Sequence, residues 1–161
     1  MTGQWNERTS YDRPNWKGMK SLRMFDSWII GDEYSGELYV VNGEYFGEGT
    51  DPLIWQVESG ILSSFPRGMV ISRASFQCTT GVGGLSDPKV EISWSLDGGY
   101  SFGDPVIRRL GAAGETKSHP YVLNCGLSKG QGIRYRLRVS DAAHVGLSGG
   151  TVEGSPRGFS G

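Results

Sequence analysis

The sequence is poor in the residues that build covalent or metal cross-links. Its 161 residues include two cysteines, Cys78 and Cys125, and two histidines, His119 and His144. The cysteines form no C-x-x-C pair, and neither histidine stands at zinc-ligand spacing from them. We therefore expect no metal site and two buried free thiols, with a disulfide between adjacent strands as the alternative under oxidising conditions.

The chain also lacks a charge excess and a long apolar run. Its net charge of −1 gives no overall attraction to nucleic acid or to an anionic membrane. No apolar run approaches the roughly 18–20 residues of a membrane span. Residues 1–18 lack the apolar core of a signal peptide. The sequence thus predicts neither a membrane nor a sequence-specific nucleic acid as a partner.

A helical period is missing as well, because no window of eleven or more residues repeats apolar positions every 3.6 residues. Glycine is frequent, at 26 residues, and 37% of the chain is apolar. In residues 133–139, four apolar residues alternate with Arg134, Arg136 and Arg138, which predicts a half-buried strand. In residues 69–80 the predicted dry face carries Val70, Ala74, Phe76 and Cys78. Short strands between glycine turns indicate an all-β protein, an antiparallel β-sandwich or jelly-roll-like domain.

The N-terminal third of the chain shows a hairpin pattern instead of long alternating strands. Residues 28–41 predict a strand, a turn and a strand, and the turn is built from Gly31, Asp32, Ser35 and Gly36. This hairpin resembles part of a β-propeller blade. Residues 42–52 read as a loop, and residues 53–59 as a further strand.

The predicted domain organisation has four parts. An extended lead-in, residues 1–27, carries Trp5 and Trp16, which we expect to dock onto another surface. The blade-like hairpin segment covers 28–60, the β-sandwich domain 61–153, and a flexible tail 154–161.

The sharpest motif follows the strand at residues 89–95. It matches the Asp-box pattern S-x-D-x-G-x-[ST]-[WF] through Ser95, Asp97, Gly98, Gly99, Ser101 and Phe102. The Asp97 carboxylate is expected to accept hydrogen bonds from its own turn, and Phe102 to pack beside Trp94. The motif therefore predicts a structural hairpin and no catalytic site.

Two charged groups have competing interpretations. The stripe of Arg134, Arg136 and Arg138 is either a solvated sheet face or an interface for an acidic partner. Glu44, Glu48 and Asp51 read as a mobile acidic loop rather than as a glycosidase pair. No motif for a nucleophile, a phosphate loop or a metal is present, so we expect a non-enzymatic protein without a cofactor.

The order of short motifs from residue 87 onward is distinctive. Asp87-Pro88 precedes Ser93-Trp94-Ser95 and Asp97-Gly98-Gly99, followed by Arg109-Leu110-Gly111 and finally by Arg134 to Asp141. This order resembles the C-terminal region of the packaged-DNA stabilisation proteins of short-tailed phages, also called tail accessory factors. The sequence departs from that pattern at Glu115, at 122–124 and at Ala142.

The resemblance implies a virion structural component, assembled in the host cytoplasm, that helps to seal the portal channel and retain packaged DNA. It implies a homo-oligomer, a ring of six copies, that contacts tail, adaptor or portal proteins. Family members are several times longer, which leaves three alternatives open: a C-terminal fragment, an isolated domain or the product of a split gene. The alternative that the residues leave open is a carbohydrate-binding β-sandwich, with tryptophan, tyrosine and aspartate forming a sugar platform.

Overall fold

The computed structural model describes residues 8–81, 87–128 and 130–157, and its secondary structure consists of β-strands. Trp5 and residues 158–161 of the predicted tail lie outside the described residues. Over those same ranges, no helix is long and apolar enough to cross a membrane. The chain divides into two compact units, Met1–Ile54 and Trp55–Gly161, called unit 1 and unit 2 below. The all-β prediction is confirmed.

Unit 1 contains a three-stranded antiparallel sheet and a short hairpin. The sheet has the order β1-β2-β3, and β4 pairs with β5. The strands are β1 (Gly18–Met24), β2 (Ser27–Asp32), β3 (Leu38–Val41), β4 (Gly47–Glu48) and β5 (Asp51–Pro52). The predicted hairpin of residues 28–41 is thus present as β2 and β3, and the predicted loop 42–52 contains a small hairpin of its own.

The extended lead-in over residues 1–27 is wrong from Gly18 onward, because β1 pairs with β2 along its length. Their turn is made by Phe25 and Asp26, which both have positive φ, at 51° and 59°. Two-residue hairpin turns of this kind normally use asparagine and glycine. Phenylalanine at such a position gives no turn signal, so the sequence pattern did not reveal β1.

Unit 2 is a sandwich of two antiparallel sheets, as the sequence predicted. One sheet has the order β10-β7-β12 and the other the order β6-β11-β8-β9. The strands are β6 (Trp55–Glu58), β7 (Gly68–Cys78), β8 (Lys89–Ser95), β9 (Val106–Arg109), β10 (Tyr121–Ser128), β11 (Arg134–Val139) and β12 (Leu147–Arg157).

Two boundaries differ from the expected ones. The sequence predicts residues 53–59 as part of the blade-like segment, but β6 pairs with β11 of the sandwich, with Val57 opposite Leu137. The predicted tail begins inside β12, which pairs with β7 as far as Arg157. Gly154 permits this pairing, because a Cβ there would lie 2.7 Å from the Val70 carbonyl oxygen. Both differences arise from long-range pairing, which local sequence does not encode.

The core alternation of β11 is confirmed, since Ile133, Tyr135, Leu137 and Val139 are all buried. In β7 the prediction fails at Val70. The register with β12 shifts at Ser72, so that Ile71, rather than Val70, is fully buried. A β-bulge of this kind moves the side chains on one side of it to the opposite face.

The two sheets meet at a cross-sheet contact formed by Phe76, Trp94, Cys125 and Tyr135. The rings of Phe76 on β7 and Tyr135 on β11 pack edge to face, with centroids 5.4 Å apart. The Trp94 indole on β8 donates a hydrogen bond of 2.8 Å to the Cys125 carbonyl on β10. The pairing of β10 with β7 shifts register between Leu123 and Gly126, and such a bulge leaves a backbone carbonyl free to turn toward another partner. The Tyr135 hydroxyl has no regular hydrogen bond and lies against the Cys125 thiol.

Replacing Trp94 with phenylalanine tests the cross-sheet contact. The change keeps an aromatic ring but removes the indole donor, so the Cys125 carbonyl loses its partner. We expect the free energy of unfolding to fall by about 1–3 kcal/mol. Urea denaturation followed by far-UV circular dichroism measures this difference.

The matched control is Tyr100→Phe, because Tyr100 is 90% exposed and should change stability by less than about 0.5 kcal/mol. Equal stability of Trp94→Phe and the control would show that the indole hydrogen bond does not hold the sheets together.

Candidate interaction surfaces

The Asp-box turn after β8 is closed by its own side chains. The Ser95 hydroxyl accepts hydrogen bonds from the backbone N–H groups of Asp97 and Gly99 and donates to the Asp97 carboxylate. That carboxylate also accepts from the backbone N–H and the hydroxyl of Ser101. Gly98 and Gly99 both have positive φ, and Gly98 N–H donates to the Gly132 carbonyl. The turn is thereby joined to the loop that precedes β11.

These contacts determine the charge state of Asp97. The hydrogen bonds from the hydroxyls of Ser101 and Ser95, in that order, hold the pKa of the carboxyl well below its usual range. Asp97 is therefore ionised at neutral pH, has no proton to donate, and makes its hydrogen bonds within its own turn. These bonds give the Asp box a structural role.

Phe102, the last residue of the motif, does not pack beside Trp94 as expected. Its ring lies under the Arg136 guanidinium, at 3.7 Å from the centroid. Trp94 is paired with Tyr135, so Arg136, the next residue along β11, points to the opposite face of the sheet. Phe102 therefore covers the outer face of the sheet and not the core.

The turn between β2 and β3 is built in a similar way. The Asp32 carboxylate accepts hydrogen bonds from the backbone N–H groups of Tyr34 and Ser35, and the Ser35 hydroxyl accepts from Glu37 N–H. Gly36 has a φ of 72°, which glycine adopts without strain. The bond from Tyr34 N–H lowers the pKa of Asp32. Gly31 lies in β2 opposite Leu38.

The arginine stripe of Arg134, Arg136 and Arg138 is occupied by carboxylates of the neighbouring strands. Glu58 on β6 pairs with Arg136 at 2.7 Å and with Arg134 at 3.6 Å, and Glu91 on β8 pairs with Arg138 at 3.4 Å. Both carboxylates stand directly opposite an arginine in the strand register. The stripe is thus a cross-strand ion-pair ladder on the outer face, with a formal charge of +1 rather than +3.

Trp16 is engaged within unit 1. Its indole donates to the Glu48 carboxylate at 3.1 Å, and the Arg8 guanidinium lies over its ring. The ring also covers Gly18, where a Cβ would approach it to 2.7 Å. The proposed docking role of Trp16 is therefore accompanied by an internal structural one.

The mobile-loop interpretation of the acidic segment is wrong for Glu48, whose side chain is 5% exposed and paired with Arg8. The buried Lys17 ammonium donates to the Glu48 carbonyl, pairs with Asp51 at 3.5 Å and lies over the Tyr39 ring. Glu48 Oε2 has no hydrogen-bond partner among the described residues. Unit 1 therefore has a polar centre, which sequence patterning missed because its charges come from separate segments.

Unit 2 exposes apolar side chains on loops that meet at one end, where Gly98 N–H donates to the Gly132 carbonyl. This end, called the loop end, is formed by residues 61–65, 96–100 and 130–132. Phe65 is 80% exposed and Tyr100 90%. Phe65 lies beside Gly130, and Ile61 and Leu62 lie beside Gly132, as the close contacts of these glycines show. Leu96 of the Asp-box turn is 38% exposed. Exposed apolar clusters of this kind mark interaction sites.

The cysteines are free and buried. Burial raises the pKa of the Cys78 thiol to about 11 and also raises the pKa of Cys125. Such thiols are protonated and inert at neutral pH. Within the described parts of the chain, no group of three or more histidine, cysteine, aspartate or glutamate residues could hold a metal ion.

Comparison with known proteins identifies a family for the sandwich. The model of the family described as bacteriophage P22 Gp10, beta-sandwich, matches residues 54–155, which is more than half of the chain. The match begins one residue before β6 and ends within β12, so it covers the sandwich. No curated protein matches the chain.

Replacing Ser95 with alanine tests the Asp-box turn. Ser95 is 1% exposed, and its hydroxyl serves three hydrogen bonds, so the free energy of unfolding should fall by about 1–3 kcal/mol. Urea denaturation measures it. Ser101→Ala is the control, because Ser101 is exposed and should lose less. A larger loss in the control would contradict the central role of Ser95.

Replacing Asp97 with asparagine tests the carboxylate through pH. Because folding lowers the pKa of Asp97, its stabilisation is present above the ordinary pKa of about 3.9 and is lost as pH falls below it. The melting temperature of the variant should lie below that of the wild type at pH 7, and the gap should narrow below about pH 4. Thermal scans at pH 7 and pH 3 measure the gap, and an equal gap at both values would refute the assignment.

Proposed function

Because the chain belongs to the bacteriophage P22 Gp10 β-sandwich family and is a phage structural component, we propose that it serves the tail hub, or head-completion, assembly of the virion. In this role it helps to seal the portal channel and to retain packaged DNA. The observation that carries the proposal is the family match across both sheets of the sandwich.

The chemistry of the surface supports a non-enzymatic role. Asp97 is held by its turn, Glu58 and Glu91 are paired with the arginine stripe, and both thiols are buried. Each of these groups makes contacts within the sandwich. These potentially reactive side chains thus have structural roles, as expected of a virion component.

The loop end is the surface that we assign to a protein partner, such as a tail, adaptor or portal protein. Interface centres are apolar and enriched in aromatic residues, and Phe65 and Tyr100 provide two exposed rings. Ile61 and Leu62, which lie beside Gly132, add exposed aliphatic groups to this end. The arginine stripe, whose charge of +3 is reduced to +1 by its carboxylates, is the weaker candidate. A homo-oligomer, with a six-membered ring as the form implied by the family resemblance, belongs to the same proposal.

The second candidate is a carbohydrate-binding module, and the exposure of Phe65 and Tyr100 at one end favours it. Sugar rings stack on flat aromatic faces and require hydrogen-bonding side chains beside them. The aliphatic neighbours Ile61 and Leu62 fit a protein surface better than a sugar. We therefore place protein contact first.

A nonsense mutation in the phage or prophage that carries the gene tests the function. We expect particles that package DNA and then lose it, so that electron microscopy shows emptied heads and nuclease digests the released DNA. Wild-type protein supplied from a plasmid should restore filled heads. The double variant Phe65→Ser/Tyr100→Ser should restore them less, whereas a Lys117→Ser control should restore them fully.

Other outcomes separate the candidates. Filled, stable particles that fail to adsorb, together with binding of the purified chain on a glycan array, would support the carbohydrate module. Mutant particles with normal DNA retention and normal adsorption would contradict both proposals.

A further inference from the structure

Among the residues that the structure describes, strand β3 pairs on one side only and forms an edge of the unit 1 sheet. It forms one side of the order β1-β2-β3, and it pairs with β2 without any register shift. Its four residues, 38–41, include no charge and no proline. The opposite edge, β1, carries Lys20 and Arg23 and a register irregularity after Gly18. Charges and bulges protect edges from pairing, so the sheet is protected on one side only.

The backbone groups that β3 leaves open can be assigned. Asp32 N–H donates to the Glu37 carbonyl, so this opposed pair is hydrogen-bonded. Hydrogen-bonded and non-hydrogen-bonded pairs alternate along an antiparallel ladder. Tyr39 and Val41 therefore bond to β2, whereas Leu38 and Val40 direct their N–H and C=O groups away from it.

The same two residues carry an exposed apolar face. Leu22, Ile29 and Val40 are aligned across the three strands, so their side chains share a face. Leu38 lies on it as well. Leu38 is 72% exposed, Leu22 61% and Val40 59%. The opposite face holds the buried Ile30. An apolar stripe thus runs across the sheet and stops at the open edge.

We propose that β3 pairs with β3 of a second copy, antiparallel, and joins two sheets into one of six strands. The strand is self-complementary about Tyr39. In the antiparallel arrangement, Leu38 of each copy stands opposite Val40 of the other, and both of these residues have open backbone groups. Two opposed pairs then form backbone hydrogen bonds, and their apolar side chains continue the stripe from one copy to the next.

Charge distinguishes this contact from the pairing of two β1 edges. Two copies joined through β1 bring two Lys20 and two Arg23 side chains into one seam, with Arg23 offset in part by its ion pair with Asp26, and like charges across strands are destabilising. Two copies joined through β3 bring together uncharged residues. The proposed β3 contact is argued from the geometry of unit 1 alone. An experiment that refutes it therefore leaves the proposed virion role untouched, and the reverse also holds.

Solution mass tests the contact on the full chain. Light scattering coupled to gel filtration should give a dimer or a multiple of it that dissociates on dilution. Val40→Pro removes the outward N–H without removing a bond to β2, and it should shift the dissociation constant at least tenfold toward monomer. Val40→Thr keeps the N–H and the branched shape and should remain associated. A wild-type monomer at every concentration, or association unaffected by Val40→Pro, would overturn the proposal.

Engineered cysteines test the register. Opposed residues of an antiparallel pair lie about 5.5 Å apart at Cα, within disulfide range. A mixture of Leu38→Cys and Val40→Cys chains should therefore cross-link under mild oxidation. Either variant alone should cross-link much less, because identical positions are displaced along the strands. The native Cys78 and Cys125 are buried and should not cross-link, so the wild-type chain gives the background level of cross-linking. Equal cross-linking of the single variants and the mixture would refute the register.

Discussion

The contact between the two sheets of unit 2 is the constraint on which the other features depend. Tyr135 packs against Phe76 across the core, and Trp94 donates to the Cys125 carbonyl across the same gap. Together they fix β8 and β11 against the opposite sheet. The Asp-box turn leaves from the end of β8, and the arginine stripe lies on the outer side of β11. Both surface features are therefore oriented by the core residues beside them, because Ser95 follows Trp94 and Arg136 follows Tyr135 along the chain.

Local signals in the sequence predicted a large part of this architecture. The alternation of β11 and the turns closed by Asp32 and Asp97 were readable because neighbouring residues build them. The bulge at Ser72, the partner of β6 and the extent of β12 were not, since each depends on a strand far away in the chain. The turn at Phe25 and Asp26 was missed for a different reason: its residues are uncommon at positive φ, and the paired strands impose that conformation.

The candidate surfaces show the same division. The Asp-box motif predicts the hydrogen bonds that Asp97 accepts from its own turn. It does not predict the bonds of the Ser95 hydroxyl or the face covered by Phe102, which depends on the register of β8 with β11. The arginine stripe is recognisable as a pattern, but its partial neutralisation by Glu58 and Glu91 follows only from cross-strand neighbours. The burial of Glu48 was missed because Arg8, Trp16 and Lys17 reach it from another segment. Unit 1 consequently has a polar centre and an uncovered apolar stripe, the reverse of the dry core of unit 2.

The two proposed contact surfaces impose different symmetries on any assembly. Pairing of β3 with β3 is isologous, because the same strand is used by both copies, and such a contact closes a two-fold dimer and does not propagate. A ring requires a heterologous contact, in which two different surfaces of neighbouring copies meet. The loop end of unit 2 is made of loops and has no strand edge that would pair with itself. It can therefore take part in a heterologous contact. A ring that also contained the β3 contact would have two-fold axes and hence two equivalent faces. The proposed hub, with a portal on one side and a tail on the other, has unlike faces, so the β3 contact belongs to a free dimer before assembly and not to the ring.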